Sequence, residues 1–298
     1  MMPARPASML LRSAACFFAL AALPVLPAAG EDAAKPAEAA APPKADAAVR
    51  FEDEALRAAI REILAQKSRP SDPVDADDLS TIYFLRAPGR GIASLAGLES
   101  CPNLSLVDLS GNAVTDASPL AGAKRLQSLD LSGNRIVSTD PFTRIPKLQY
   151  LNLSGNEITA LDGLAPLENL RSLDVSGNAV TSLDPLAGAG KLQSLWAGNN
   201  RITSLDPLAK LRIDTLDLSG NAVTSLDPLA GQDQLRLLML EGNPIGSLAP
   251  LVQTAQAGPV FLRLHLDAAQ AERLKPQVEA LRAARVQVTV DDAKPDGE

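Results

Sequence analysis

Seven asparagines recur at almost constant intervals through the middle of the chain, and no other feature limits its fold as strongly. Asn112, Asn134, Asn156, Asn178, Asn200, Asn221 and Asn243 are separated by 22, 22, 22, 22, 21 and 22 residues. Each is preceded by apolar residues eight, five and three positions earlier, as Leu148, Leu151 and Leu153 precede Asn156. Valine or isoleucine follows two positions later: Val114, Ile136, Ile158, Val180, Ile202, Val223 and Ile245. One such segment is too short to bury its own leucines. Copies stacked side by side share a single interior.

The pattern is the L-x-x-L-x-L-x-x-N-x-[VI] period of a leucine-rich repeat. It predicts an α/β solenoid, a right-handed horseshoe with a parallel β-sheet on the concave face. Alternate leucines of each short strand point inward. The Asn side chain is expected to satisfy backbone groups of its own turn and of the adjacent coil. The return legs carry turn-forming pairs such as Asp184-Pro185 and Asp206-Pro207, which predict short 3₁₀ or irregular turns on the convex side. A degenerate repeat precedes the seven, with Arg90 in the Asn slot and Ile82 and Leu85 before it. Counting onward by the same period brings His265 into a drifted final slot.

The flanks divide the chain further. Residues 1–30 read as a secretory signal, with Arg5 and Arg12, a short apolar stretch and small residues before Glu31. The stretch is too short for a transmembrane anchor. Residues 31–48 form an Ala/Pro-rich spacer with almost nothing large and apolar, expected to be disordered. A helical N-terminal cap is expected over 49–78, with Asp53 as N-cap and Leu56, Ile60, Ile63 and Leu64 on one face. The repeats occupy 79–256. A strand–helix–strand C-terminal cap follows over 257–290, with Asp267 and Gln270 at capping-box spacing, and 291–298 is an acidic tail.

Composition removes several classes of function. A single His and two Cys leave no multi-histidine metal site, Cys₄ zinc site or disulfide scaffold, so neither cofactor nor metal is expected. A net charge of −7 argues against nucleic acid. No Gly-x-Ser-x-Gly elbow or phosphate loop is present, and His265 stands far in sequence from Cys101. The chain therefore reads as non-catalytic.

The repeat length, the Asn column and the N-terminal helix are similar to those of the internalin-type leucine-rich repeat proteins of bacteria. Asp78-Leu79, Ile82, Leu85, Gly91-Ile92, Leu95 and Gly97-Leu98-Glu99 resemble that family's junction between cap and first repeat. The likeness runs from about Phe51 to Val252. It implies a protein partner bound on the curved inner surface.

Strand residues between the leucines should face that surface. Six positions before the Asn column stand Phe84, Leu106, Ser128, Tyr150, Ser172, Ser194, Thr215 and Leu237. Four before it stand Arg86, Asp108, Asp130, Asn152, Asp174, Trp196, Asp217 and Met239. Exposed aromatics on a rigid scaffold are frequent binding anchors, which singles out Trp196 and Tyr150. Leu237, Met239, Arg86 and the acidic column join them as candidate contacts, and the acids favour a basic partner. Phe84 is expected to pack near the cap, and Phe261 to lie on the same face if the register persists. The expected function is protein binding by a secreted or periplasmic protein. The competing readings are a structural envelope component with glycan contact, and an inhibitory or regulatory subunit of an enzyme.

Overall fold

The computed structural model describes residues 48–69, 72–258 and 260–291. The stretch read as a signal, all but the last residue of the expected spacer, and nearly all of the acidic tail lie outside these residues.

The repeat folds as one open parallel sheet. Its strands are β1 (Phe84–Arg86), β2 (Leu106–Asp108), β3 (Ser128–Asp130), β4 (Tyr150–Asn152) and β5 (Ser172–Asp174). They continue as β6 (Ser194–Trp196), β7 (Thr215–Asp217), β8 (Leu237–Met239), β9 (Arg263–Asp267) and β10 (Gln287–Asp291). The ten lie side by side in chain order, every adjacent pair parallel. From β1 to β8 the register follows the repeat: Leu85, Val107, Leu129, Leu151, Leu173, Leu195, Leu216 and Leu238 form one inward row. All eight are fully buried, in one core running through the whole stack.

Seven 3₁₀ turns form the opposite side, from Leu98–Ser100 to Asp227–Leu229. Five of the seven open on an Asp-Pro or Ser-Pro pair, which favours a turn. Leu120, Phe142, Leu164, Leu186, Leu208 and Leu229 project from them into the core.

The Asn column acts as expected. Asn156 Oδ1 accepts the Ile136 N–H of the preceding coil at 2.9 Å, and Nδ2 donates to Leu131 O and Leu153 O at 2.9 Å each. Asn112, Asn134, Asn178, Asn200, Asn221 and Asn243 repeat this arrangement. A chain path this tight needs a left-handed residue just before the Asn. Gly133 supplies it at φ +64°, and Asn199 takes the same role at φ +54° in the one coil with no glycine there.

Helix α1 (Glu54–Gln66) adjoins β1, and a short helix α2 (Ala76–Ser80) follows it. Asp53 caps α1 by accepting the Leu56 N–H at 3.0 Å, and its second oxygen accepts Ala93 N–H at 2.8 Å, tying the helix to the first repeat. Arg90, in the first Asn slot, instead pairs with Glu62 of α1 at 2.8 Å.

At the far end the regular period breaks. Helix α3 (Ala249–Ala257) replaces the eighth 3₁₀ turn. Strand β9 is followed by α4 (Ala268–Arg273), α5 (Lys275–Ala283) and β10. The Asp267–Gln270 capping box forms in full, and Pro276 lies in the first turn of α5, where the helix restarts. Because α3 uses more residues than a 3₁₀ turn, Met239 pairs with His265, an offset of four beyond the 22-residue count. This corrects two expectations. His265 lies in the outward row of β9 and not in an Asn slot, and Phe261 precedes the strand, 83% exposed, instead of joining the face.

Candidate functional site

The outward face of the sheet carries two rows. One runs Phe84, Leu106, Ser128, Tyr150, Ser172, Ser194, Thr215, Leu237; the other Arg86, Asp108, Asp130, Asn152, Asp174, Trp196, Asp217, Met239. The repeat pattern places both correctly, because a side-chain period of two leaves no alternative once the leucines face inward.

What these side chains offer differs from one to the next. Tyr150, Trp196 and Leu237 are half-buried. Arg86 is exposed on the edge strand. Phe84 is 62% exposed, against the expectation that it packs near the cap, because β1 has a strand neighbour on one side only. Asn152, Asp174, Asp217 and Met239 are buried, Asn152 to 2% exposure, and have little surface for a partner to reach.

The acidic row is occupied with its own coils. Asp108 Oδ1 accepts from Ser110 N at 3.1 Å and Ser110 Oγ at 2.8 Å. Asp217 Oδ1 accepts from Ser219 N at 2.9 Å and Oγ at 2.6 Å. Asp130, Asn152 and Asp174 make the same bond to the amide two residues on. These are Asx turns, which bend the chain out of the strand toward the Asn slot. The LDLSGN wording is thus mainly a turn device. The carboxylate oxygens turn along the coil toward the following serine. Asn152 Nδ2 also donates to Asp130 Oδ2 at 3.2 Å. Burial pushes the Asp130 carboxyl above its ordinary range; the adjacent Asp108 charge adds to this, and the bonds from Ser132 and Asn152 oppose it.

Tyr150 and Trp196 interrupt these rows two coils apart, roughly 10 Å along the sheet. Ser128 and Ser172 flank Tyr150 in its row, and Asp174 and Asp217 flank Trp196. The row neighbours of Tyr150 are small, and the tyrosine itself is half-buried. The indole N–H is enclosed and meets no acceptor among the described residues. A buried donor left so is uncommon in folded proteins.

Gln270 has a second role beyond the capping box that its spacing predicts. Gln270 Nε2 donates to Leu240 O and Asn243 O at 2.8 Å each, the work an eighth Asn would do for the last regular coil. Its capping-box spacing was the only signal. Among the described residues there is no cluster of three or more His, Cys, Asp or Glu able to hold a metal, and no helix long and apolar enough to cross a membrane.

Fold and repeat define a leucine-rich repeat protein, and the family patterns agree. The pattern described as "Leucine rich repeat" matches residues 124–180, and that for two copies of the repeat matches 168–210. Internalin C2 of Listeria monocytogenes is 32% identical, with a TM-score of 0.65 over 72% of this chain and 94% of that one. An internalin F structure from the same organism is 22% identical, with a TM-score of 0.50 over 83% of this chain and 96% of that one. A leucine-rich repeat protein of Leptospira interrogans is 20% identical, with a TM-score of 0.50 over 67% of this chain and 57% of that one. The last two likenesses concern the fold alone. Comparison with curated proteins gives no match. The chain belongs to the internalin-type bacterial leucine-rich repeat proteins.

Proposed function

We propose that this protein binds a protein partner through the outward face of its sheet, centred on Tyr150 and Trp196. The supporting observation is the pair of half-buried aromatics on a rigid parallel sheet, with the small side chains Ser172 and Ser194 in the row between and beside them. Large rings that lose little entropy on binding, next to positions where a partner's side chains find room, are the usual anatomy of a hot spot. Leu237 and the exposed Phe84 extend the apolar surface toward either end. The Asx-turn carboxylates hold the strands' exits in place. Binding is non-catalytic on this reading, with the Ser110 and Ser219 hydroxyls engaged in their own Asx turns.

The reading places this activity outside the cytoplasm, with residues 1–30 as export signal and 31–48 as spacer. Residues 49–78 and 257–290 serve as caps, because a repeat stack must shield its ends.

Photo-cross-linking tests the proposal. A benzoylphenylalanine in place of Ser172 should capture a partner from the native extract, and the same group in place of Asp184, on the 3₁₀ side, should not. Equal capture at both positions, or capture only from Asp184, contradicts it.

A further inference from the structure

Charge is distributed unevenly around each coil. The 3₁₀ turns begin with exposed acids, among them Asp140, Asp162, Asp184 and Asp206. Where the chain climbs back toward the strands, exposed cations recur coil after coil: Arg125, Lys147, Arg171, Lys191, Arg212 and Arg236. With coils about 4.8 Å apart, this is a ladder of positive charge along one rim of the sheet. The guanidinium groups of Arg171, Arg212 and Arg236 form no ion pair among the described residues, although the chain as a whole is acidic.

Two hollows open on this rim. One, of about 310 Å³, is lined by Arg171, Lys191, Gln193, Arg212 and Gln234, together with Gly190 and Leu192. The other, of about 320 Å³, is lined by Asp214, Asp233, Gln234, Arg236 and Phe261. They share Gln234 and so adjoin, making a groove-like strip of rim with the exposed ring of Phe261 in the second hollow. Lys191 Nζ donates to Asn169 Oδ1 at 2.7 Å, which holds an ammonium at the rim.

We propose that this groove binds a glycan carrying carboxylate groups. Guanidinium groups recognise carboxylates in bidentate fashion. The amides of Gln193 and Gln234 and the carboxylates of Asp214 and Asp233 suit sugar hydroxyls, which both donate and accept. Phe261 offers a flat apolar face for a sugar ring. The two acids repel any carboxylate, but they accept from hydroxyls, which a sugar presents on every ring and an acidic peptide side chain lacks. The mixture therefore favours a sugar acid over a polypeptide. The groove shares no residue with the Tyr150–Trp196 face, so either proposal stands or falls without the other.

The test is titration of the purified chain with an oligogalacturonate, a neutral glucan oligomer of equal length, and polyglutamate of equal charge. The uronate should bind, the glucan should not, and polyglutamate should bind at least about tenfold more weakly, a difference of about 1.4 kcal/mol. Arg171→Glu with Arg212→Glu should weaken uronate binding at least about tenfold. Phe261→Ala should weaken uronate binding and leave polyglutamate unchanged. Arg135→Glu with Arg201→Glu, an equal charge change on exposed residues after the Asn slots, should leave both unchanged. No binding of uronate overturns the proposal. So does polyglutamate binding as tightly as uronate, or an equal loss in the Arg135/Arg201 variant. Thermal unfolding of each variant confirms that the fold is intact.

Discussion

The side-chain oxygen of Asn134 accepts the backbone N–H of Val114, 20 residues earlier in the chain, at 2.9 Å. The same carboxamide donates to Leu109 O at 3.0 Å and Leu131 O at 2.9 Å, so one buried side chain holds two coils together. Each of these backbone groups is shut off from water and costs about 1–3 kcal/mol if left unpaired. Asn134→Ala should therefore lower the unfolding free energy by at least about 3 kcal/mol, read from urea titration. Asn134→Asp should not rescue it, because its second oxygen would face carbonyls that need a donor.

Gly163 separates packing from mere glycine content. A Cβ there would stand 1.9 Å from Thr139 O, while one at Gly188 meets nothing within 4 Å. The Gly163 N–H also donates to Thr139 Oγ1 at 3.1 Å. Gly163→Ala should destabilise by about 3 kcal/mol and Gly188→Ala by a small fraction of that, compared as midpoints of thermal unfolding.

Two carboxylates should respond to acid in opposite directions. Burial, joined by the Asp108 charge, raises the Asp130 pKa above its ordinary 3.8, so the folded chain holds this proton to higher pH than the unfolded chain. Its favourable contribution is complete below the unfolded value and is lost as pH rises through the folded one. The stability of Asp130→Asn relative to the parent should thus increase as pH rises from the unfolded value through the raised folded one, and then level off. For Asp53, burial pushes upward, but the N–H groups of Ala93, Leu56, Ser94 and Ala55 outweigh it and hold the pKa below 3.8. Asp53→Asn should be less stable than the parent at neutral pH, and the gap should close as pH falls through the depressed value. Urea titrations across this range read both; parallel curves for the two variants would contradict the assignment.

Cys101 is buried, and burial, with the nearby Glu99 charge, pushes its thiol up to about 12. Since the thiolate is the reactive form, iodoacetamide at about pH 8 should leave Cys101 unmodified in the native chain and alkylate it after unfolding. Peptide mapping distinguishes the two.

The repeat made most of the fold legible. A fixed leucine spacing admits one register, and β1 to β8 follow it. Legibility ended where a coil changed length. Helix α3 moved His265 into the outward row and Phe261 off it, and nothing in a count of 22 announces that. At the face, residue positions were readable but side-chain directions were not. Asp108 and Asp217 lie in the outward row, yet their oxygens turn to Ser110 and Ser219. The basic rim escaped notice because its residues lie outside the strand columns, where the pattern is loosest.

The most direct measurement of the central claim is the affinity of the cross-linked partner for the Tyr150→Ala/Trp196→Ala variant. Leu151→Ala, one residue from Tyr150 but facing inward, serves as the stability control and should cost about 2–5 kcal/mol of folding free energy. The account predicts that the double variant stays folded, at a cost of about 2–5 kcal/mol because both rings are half-buried. It also predicts that the variant binds its partner at least about 30-fold more weakly, the loss of one hot spot of about 2 kcal/mol. Unchanged affinity in a fully folded double variant would show that the partner docks elsewhere.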